Sequence, residues 1–363
     1  MEAVLVQGAP TSYRCHQGAL FELKTIIEKE GWGKGLLVHG QQSWRVAEPF
    51  INPLQLKLVK VRYQGECSRA EVERITELAR REQVDYILGV GGGKVIDLAK
   101  ASANHLKQPF LIVPTLASNC AAWTPLSVFY DQNGTFTDYQ VFNRNAFMVA
   151  IEPELILDSP SSYLRAGIGD TIAKWYEADV LARQLEDKGI AIEISLHAAK
   201  LCRDVLLMQG AEALNDQQHR RVSPAFLRVI ETIIMAGGMV GGFGDRYGRI
   251  AGAHSIHNGL TALSETHRHL HGNKVAYGIL VQLVLEDRLD EVNTLLPYYR
   301  QLKLPTSLKE LGVTSQLDQA YQLVAQAATK PGESIHLIKP TSSAEVASAM
   351  EQLTNWLDNQ VKK

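Results

Sequence analysis

Two histidine-bearing segments and a distant aspartate carry the residue types that a catalytic divalent metal requires. His254 and His257 lie in a segment of small residues, His271 follows in a second segment, and Asp170 comes after Gly167-Ile168-Gly169. Imidazole and carboxylate groups are good zinc ligands, and three protein ligands leave a coordination position open for a substrate. The chain has 11 histidines, so close pairs also arise by chance and the spacing alone only allows such a site.

A glycine-rich turn supplies a second candidate site, for a phosphate group. Gly91, Gly92 and Gly93 follow a predicted buried strand and open a predicted helix, with Lys94 next in the chain. Glycines let the backbone approach a diphosphate closely, and a helix N-terminus adds unpaired N–H groups and the positive end of the helix dipole. The spacing is neither that of a Walker A loop nor GxGxxG. A tight turn that needs small residues for helix–sheet packing is the alternative.

The first half of the chain alternates strand-like and helical patterns. Such alternation predicts a doubly wound parallel sheet, whose ligands bind at the carboxyl ends of the strands. The strand-like runs are 35–40, 56–61, 86–90 and 110–114, with a helical stretch at 69–83. Segments 127–130 and 135–139, joined through Asn133-Gly134, predict an inserted β-hairpin.

The second half has a helical pattern. Amphipathic segments dominate from about residue 161, which predicts an all-helical domain. They span 170–182, 189–207, 224–239, 250–263, 273–288 and 317–329. We therefore expect two domains, a dinucleotide-binding domain at 1–160 and a helical metal- and substrate-binding domain at 161–363.

Composition limits the classes of function. The 363 residues are 45% hydrophobic and 21% charged, with a formal net charge of −2, so no basic excess is available for nucleic acid. The 4 cysteines show no paired spacing and are expected to be reduced thiols. Neither a signal peptide nor an apolar run of membrane-spanning length is evident. We expect a cytoplasmic protein that binds neither nucleic acid nor a membrane.

Taken in order, these segments resemble the iron-containing (group III) alcohol dehydrogenases, within them the glycerol dehydrogenase branch and its bacterial hydroxycarboxylate dehydrogenases. The resemblance rests on the order of Gly91–Lys94 with Asp97, then 114–118, Cys120–Pro125, Gly167–Asp170, His254–Gly259 and His271-Gly272. It implies a Rossmann-like N-terminal sheet and an all-helical C-terminal domain, an architecture similar to that of dehydroquinate synthase.

The resemblance also implies roles for individual residues. Asp170, His254 and His271 would hold the metal. His257, one turn after His254, would contact nicotinamide or relay a proton, with a packed helix histidine as the alternative. The residues implied for the cofactor are Gly91, Gly92, Gly93, Lys94 and Asp97 at the diphosphate, Thr115 and Ser118 on the second loop, and Thr124, Leu126 and Tyr130 near nicotinamide and ribose.

One departure from the family pattern concerns the cofactor. NAD-using glycerol dehydrogenases carry an acidic residue just past the first strand, where this chain has Gly40 followed by Gln41 and Gln42. Without a carboxylate, repulsion of a 2′-phosphate is removed, and a neutral polar loop can donate hydrogen bonds to it. NADP(H) is therefore favoured, and NAD(H) stays the alternative.

A second departure concerns the substrate. Glycerol dehydrogenases carry an aspartate after the second nucleotide loop, and this chain has Cys120 there. Since an anion at that place would repel a carboxylate, its loss suits a 2-oxo or 2-hydroxy acid. Cys120 as a small buried apolar residue is the alternative.

A third departure concerns the metal. Some iron-dependent relatives place a fourth ligand, a histidine, one turn after the aspartate, and this chain has Lys174. A protonated lysine cannot bind a metal, so three protein ligands remain and zinc is favoured over iron. Lys174 would pair with a substrate carboxylate, or else form an exposed ion pair with Asp170.

These residues predict hydride transfer between NADP(H) and a short 2-oxo or 2-hydroxy acid, such as 2-oxobutanoate or 2-oxoglutarate, at a divalent metal. The first alternative is an NAD-dependent glycerol or 1,2-propanediol dehydrogenase. A lyase similar to dehydroquinate synthase is less compatible, because that family has glutamate where Asp170 stands. A homo-oligomer is expected by resemblance.

Overall fold

The computed structural model describes residues 4–132 and 134–361, and within them the chain forms two compact units. The sheet unit consists of Gln7–Ser161 and Ala213–Met239, and the helical unit of Ser162–Glu212, 240–361 and residues 4–6. A single boundary at residue 160 divides the chain differently, because Ala213–Met239 packs with the sheet unit.

A parallel sheet forms the centre of the sheet unit. The strands in the described residues are β1 (Ser12–Cys15), β2 (Gly35–His39), β3 (Leu58–Arg62), β4 (Tyr86–Gly91), β5 (Phe110–Pro114), β6 (Leu126–Tyr130), β7 (Phe136–Val141) and β8 (Met148–Ile151). Six of these described strands form one sheet in the order β1-β8-β5-β4-β2-β3, and each neighbouring pair is parallel. The predicted doubly wound parallel sheet is confirmed.

The central strands are apolar because helices cover both of their faces. Leu36, Leu37 and Val38 of β2 have no exposed surface, as expected for a parallel sheet buried on both sides. The covering helices are α1 (Phe21–Lys29), α2 (Gln41–Ile51), α3 (Arg69–Arg81), α4 (Gly93–Leu106) and α5 (Pro153–Leu157). Helix α3 begins where the Ser68 hydroxyl accepts from the Glu71 N–H at 3.2 Å.

Strands β6 and β7 form the predicted antiparallel hairpin, with an irregularity between Phe129 and Tyr130. Of the predicted turn Asn133-Gly134, Asn133 lies outside the described residues. Gly134 has φ +81°, a conformation that glycine adopts at little cost. Asp131 closes the turn, since its side chain accepts from the Thr135 N–H at 2.8 Å.

Helices dominate from Ser161 onward. They are α6 (Ser161–Ala182), α7 (Ile190–Gln218), α8 (Pro224–Glu231), α9 (Gly237–Gly244), α10 (Arg246–Arg249), α11 (Gly252–Leu260), α12 (His271–Leu285), α13 (Leu289–Leu302), α14 (Leu317–Ala328) and α15 (Ser343–Val361). A π-helical turn at Thr232–Ala236 joins α8 to α9. The stretch Pro224–Gly244 is long and apolar enough to cross a membrane, but 67% of its most apolar 18-residue window is buried, which is typical of a core helix.

Candidate metal centre and nucleotide site

Close helix contacts bring the candidate metal ligands together. Asp170 lies in the middle of α6, and His271 is the first residue of α12. A Cβ added to Gly169 would lie 2.6 Å from the Gly272 carbonyl oxygen, and one added to Gly272 would lie 1.8 Å from that of Ala166. Any larger residue would separate the two helices. The glycines next to Asp170 and His271 therefore place those side chains beside each other.

A similar contact places the third ligand. A Cβ on Gly278 would lie 2.3 Å from the Ala253 carbonyl oxygen, so α12 packs directly on α11. His254 follows Ala253 on α11 and is 9% exposed.

The three side chains converge on one carboxylate oxygen. One ligand atom from each of Asp170, His254 and His271 lies within 4.8 Å of the other two. The Nε2 atoms of His254 and His271 are 3.4 Å and 3.1 Å from Asp170 Oδ1. Asp170 is 4% exposed, and Oδ1 has no hydrogen-bond partner among the described residues. A buried carboxylate oxygen without a partner is costly, and a divalent cation would satisfy it. The donor set thus fits a tetrahedral metal with one open position.

Glu177 supports this cluster and was missed by the sequence analysis. Its side chain is 2% exposed and accepts from the backbone N–H groups of Ala251 at 2.7 Å and His254 at 3.0 Å. It also lies 2.7 Å from His254 Nδ1. A carboxylate on Nδ1 directs the other ring nitrogen, Nε2, toward Asp170. The available signal was its place two helical turns after Asp170 on the same face of α6.

Charge coupling dominates the ionisation of the cluster. Burial by itself would lower the pKa of His254, but the Glu177 and Asp170 carboxylates outweigh it and raise that pKa to about 9. Burial by itself would raise the pKa of Asp170, yet the neighbouring imidazoles of His254 and His271 hold it well below the usual range. Burial would likewise raise the pKa of Glu177, but the neighbouring His254 lowers it. Without a metal, the centre therefore holds two carboxylates and at least one proton.

Lys174 lies one turn after Asp170, as predicted, but it is only 8% exposed. The alternative of an exposed ion pair is therefore wrong. Its Nζ donates to the Arg249 carbonyl oxygen at 3.0 Å, which ties α6 to the segment before α11. Its pairing with a substrate carboxylate stays a prediction.

His257 lies next to the candidate metal ligands, in contact with His271. His257 Nε2 lies 2.9 Å from His271 Nδ1, and the ring centroids are 4.1 Å apart. Burial, with the nearby His271 and Lys274, holds the pKa of His257 well below its usual range. The imidazole is therefore neutral at physiological pH, and its predicted contact with nicotinamide stays untested.

The glycine turn before α4 is tightly packed. A Cβ on Gly91 would lie 2.7 Å from Val95 Cβ, and one on Gly92 would lie 2.7 Å from Leu116 Cδ1. Packing alone thus accounts for two of the glycines, as the alternative interpretation held. Gly92 is also the N-cap of α4 and offers no side-chain acceptor. The N–H groups of the first turn are therefore left for another acceptor, and a diphosphate is suitable chemistry.

Lys94 and Tyr130 lie together at this turn. Lys94 Nζ is 2.5 Å from Glu66 Oε1 and 5.3 Å from the centre of the Tyr130 ring. Thr115 is 3% exposed and its N–H donates to the Gly91 carbonyl oxygen at 3.0 Å. The predicted diphosphate and second-loop residues are thus neighbours.

Asp97 is directed away from the turn. Its Oδ2 accepts from the Val128 N–H at 3.1 Å, and its Oδ1 is 2.9 Å from Lys100 Nζ. Burial raises the pKa of Asp97, an effect that Lys100 opposes. The carboxylate therefore anchors β6 through Val128 and Lys100, and its place at the diphosphate stays a prediction.

Lys100 has no exposed surface and organises the segment before β6. Its Nζ donates to the carbonyl oxygens of Ala121 at 2.7 Å, Thr124 at 3.1 Å and Leu126. Thr124 and Leu126 are predicted nicotinamide neighbours, and Ser118, on the same loop, is half-buried. Lys100 was missed because a lysine in a helix usually lies on its exposed face.

Gly40 is the N-cap of α2, directly after β2. Its N–H donates to the Ser43 hydroxyl at 2.9 Å, and an added Cβ would lie 3.2 Å from that oxygen and 3.3 Å from Tyr63. In the sheet register, His39 pairs with Arg62 of β3. A strand end without a carboxylate therefore has a guanidinium on the adjacent strand.

The chain is similar in sequence and in fold to known alcohol dehydrogenases. A family model described as iron-containing alcohol dehydrogenase matches residues 10–152. Hydroxycarboxylate dehydrogenase A of Escherichia coli is 41% identical over 342 residues, covering 94% of each chain. A glycerol dehydrogenase of Thermotoga maritima is 37% identical over 345 residues, covering 90% of this chain and 91% of that protein. The crystal structure of glycerol dehydrogenase from Schizosaccharomyces pombe superposes with a TM-score of 0.88 at 30% identity, covering 100% of this chain and 94% of that one.

Proposed function

The chain belongs to the iron-containing alcohol dehydrogenase family, and on that premise we propose that it transfers hydride between NADP(H) and a small 2-oxo or 2-hydroxy acid. As a family member it is a dehydrogenase acting on an alcohol group, with a nicotinamide cofactor and a divalent metal. The lyase alternative is therefore set aside. The choice of acid, of NADP(H) and of zinc belongs to the proposal.

The observation that carries the proposal is the convergence of Asp170, His254 and His271 on one buried carboxylate oxygen, which has no hydrogen-bond partner in the described part of the chain. We assign these side chains as the metal ligands. Lys174 stands where some relatives have a fourth ligand, and a lysine that donates to the Arg249 carbonyl oxygen is not available to a metal. Three protein ligands with an open position favour zinc, with iron as the alternative.

The metal and the nicotinamide would supply the chemistry of the reaction, and residues of the protein would hold both groups. A divalent metal would polarise the substrate oxygen, and nicotinamide would supply or accept the hydride. Glu177 holds the His254 ring, and the buried Asp170 carboxylate supplies the negative charge that retains a cation. The first turn of α4 would bind the cofactor diphosphate through backbone N–H groups.

The region around Gly40 supports NADP(H). A 2′-phosphate is repelled by a carboxylate and attracted by a guanidinium, and Gly40 lies beside the strand that ends at Arg62. The two glutamines that follow, Gln41 and Gln42, are exposed donors at the start of α2. NAD(H) has no 2′-phosphate with which Arg62 could pair.

The substrate class rests on two features. Cys120 stands where a polyol-binding aspartate is expected, so no carboxylate there repels an acid. The relative at 41% identity is named a hydroxycarboxylate dehydrogenase. The second candidate, an NAD-dependent glycerol or 1,2-propanediol dehydrogenase, is favoured by the several relatives named glycerol dehydrogenase. A cytoplasmic location, expected from the composition, and a homo-oligomeric state, expected from the resemblance, stay predictions.

The deciding experiment compares substrates and cofactors on zinc-loaded protein. We expect kcat/KM for NADPH with 2-oxobutanoate to exceed that for NADH with dihydroxyacetone by about tenfold or more. The measurement is the loss of cofactor absorbance for all four pairs. If only NADH with dihydroxyacetone turned over, the enzyme would be a glycerol dehydrogenase.

Asp170→Asn should lower zinc affinity by at least about 100-fold.

A matched pair at Gly40 isolates the cofactor argument. Gly40→Asp should raise the KM for NADPH and leave that for NADH little changed, because it restores the missing carboxylate. Gly40→Ala is the control for crowding, since its Cβ also meets Ser43 and Tyr63. If the KM for NADPH rose equally in both variants, the cause would be crowding by the added Cβ and not the charge. The support for NADP(H) would then be removed.

A further inference from the structure

We propose that Glu333, Asn258 and His257 form a hydrogen-bonded chain that fixes the tautomer of His271, so that its Nε2 lone pair faces Asp170. The inference rests on the proposed metal centre and adds positioning residues to it. Along this line of contacts, the chemistry of each pair decides which group donates and which accepts.

The hydrogen-bonded chain starts at Glu333, whose carboxylate is half-buried. The side-chain nitrogen of Asn258 lies 3.1 Å and 3.3 Å from its two oxygens. An ionised carboxylate only accepts, so the amide must present its NH2 group to Glu333. The amide oxygen of Asn258 then faces the other way, toward His257.

That orientation sets the proton on His257. The Asn258 oxygen lies 3.1 Å from His257 Nδ1, and an amide oxygen only accepts. Nδ1 of His257 therefore carries the hydrogen, and Nε2 of the neutral ring holds a lone pair. The ring is thus a donor on one side and an acceptor on the other.

The same rule then sets the proton on His271. His257 Nε2 accepts from His271 Nδ1 at 2.9 Å. The remaining nitrogen of His271, Nε2, holds a lone pair and lies 3.1 Å from Asp170 Oδ1. This is the tautomer that binds a metal at Nε2.

The two imidazole ligands are held in different ways because their burial differs. His254 has an 11% exposed side chain and donates directly to the buried Glu177. His271 has a 45% exposed side chain, so water competes for its ring and either tautomer is accessible without a partner. The hydrogen bond to His257 takes the place of water at Nδ1 of His271. His257 is accordingly a positioning residue, and the nicotinamide contact or proton relay expected of it stays a separate prediction.

The test uses two substitutions at His257. His257→Leu removes the acceptor, and we expect zinc affinity to fall about 10- to 100-fold. His257→Gln keeps an acceptor oxygen and should retain most of the affinity. Zinc affinity of the full-length protein is measured by competition with a chelator. Heteronuclear NMR of labelled histidine in the zinc-loaded wild type should show His271 protonated at Nδ1.

A second variant avoids dependence on the folding of His257→Leu. Asn258→Leu changes an exposed residue and leaves His257 without its Nδ1 partner, so zinc affinity should fall by several-fold. Unchanged affinity in both leucine variants would overturn the proposal, as would equal losses in His257→Gln and His257→Leu. Zinc binding that survives Asp170→Asn would instead overturn the metal centre itself, so the two failures are distinguishable.

Discussion

His254 lies between the carboxylates of Asp170 and Glu177, so its protonation links folding to metal occupancy. Its pKa is about 9 in the folded, metal-free protein against 6.5 ordinarily. A raised pKa contributes stability that is fully present below pH 6.5 and is lost as the pH rises through 9. We therefore expect the Tm of chelator-treated protein to fall across this window, as measured by thermal unfolding at each pH.

The zinc-loaded protein is the control for this prediction. Zinc takes the place of the proton, so its Tm should not show the same decline. Glu177→Gln removes the main charge that raises the pKa, and the metal-free variant should lose the pH dependence. A metal-free wild type with constant Tm across the window would contradict the coupling.

Single residues also show how far sequence reasoning extends at the site. Asp170, His254 and His271 were identified by type and by family resemblance, and the structure brings them together. Glu177 and Glu333 were missed, because glutamates are common in exposed positions. The place of Glu177 two turns after Asp170 was a weak signal, and only the fold places Glu333 near the histidines. A supporting contact between residues as distant as Asn258 and Glu333 leaves no local pattern.

At the level of elements, α4 holds the predicted nicotinamide segment through Lys100. We expect Lys100→Met to lower the free energy of unfolding by about 3–5 kcal/mol, because the buried Asp97 carboxylate loses its partner. NADPH affinity should fall as well, since the carbonyl groups of Ala121, Thr124 and Leu126 lose their shared donor. Denaturant unfolding and cofactor titration measure the two effects.

Lys94→Met is the matched control on the same helix. Its side chain is 45% exposed and pairs with Glu66, so its removal should cost less than about 1 kcal/mol of stability. It should still weaken NADPH binding, because the positive charge at the turn is lost. The double variant Asp97→Asn with Lys100→Met should recover part of the lost stability. If Lys100→Met unfolded like wild type, the buried pair would not anchor β6.

Most of the elements that sequence patterns predicted are long or strongly apolar. Strands β2, β4 and β5, helix α3 and the hairpin β6–β7 were predicted within a few residues. Strands β1 and β8 were missed, since four residues each are too short to show a period. Helices α13 and α15 were also missed despite their 14 and 19 residues. The π-helical turn at Thr232–Ala236 has no sequence pattern of its own.

For the whole molecule, composition and the alternation of strand and helix patterns predicted the fold class. A parallel sheet needs helices on both of its faces, whereas an all-helical unit shows no strand pattern. The membership of Ala213–Met239 could not be read from the sequence. That segment is helical like its neighbours, and only tertiary contacts such as Tyr13 to Glu231, at 3.3 Å, join it to the sheet unit.

This division predicts separate effects of metal and cofactor on backbone stability. The candidate metal ligands lie on α6, α11 and α12 of the helical unit, and the candidate cofactor residues all lie in the sheet unit. A ligand stabilises most the segments that it contacts, and local opening is reported by hydrogen exchange. Zinc alone should therefore give its largest protection in α11 and α12, and NADPH alone its largest protection in 91–130.

Hydrogen exchange followed by mass spectrometry measures both effects on the same protein. Asp170→Asn should abolish the protection by zinc and leave the protection by NADPH in place, because the variant changes no residue of the sheet unit. Zinc protection centred on 91–130 would contradict the assigned ligands. NADPH protection centred on α11 would contradict the glycine turn as the diphosphate site, since the N–H groups at the start of α4 are what that turn offers to an anion.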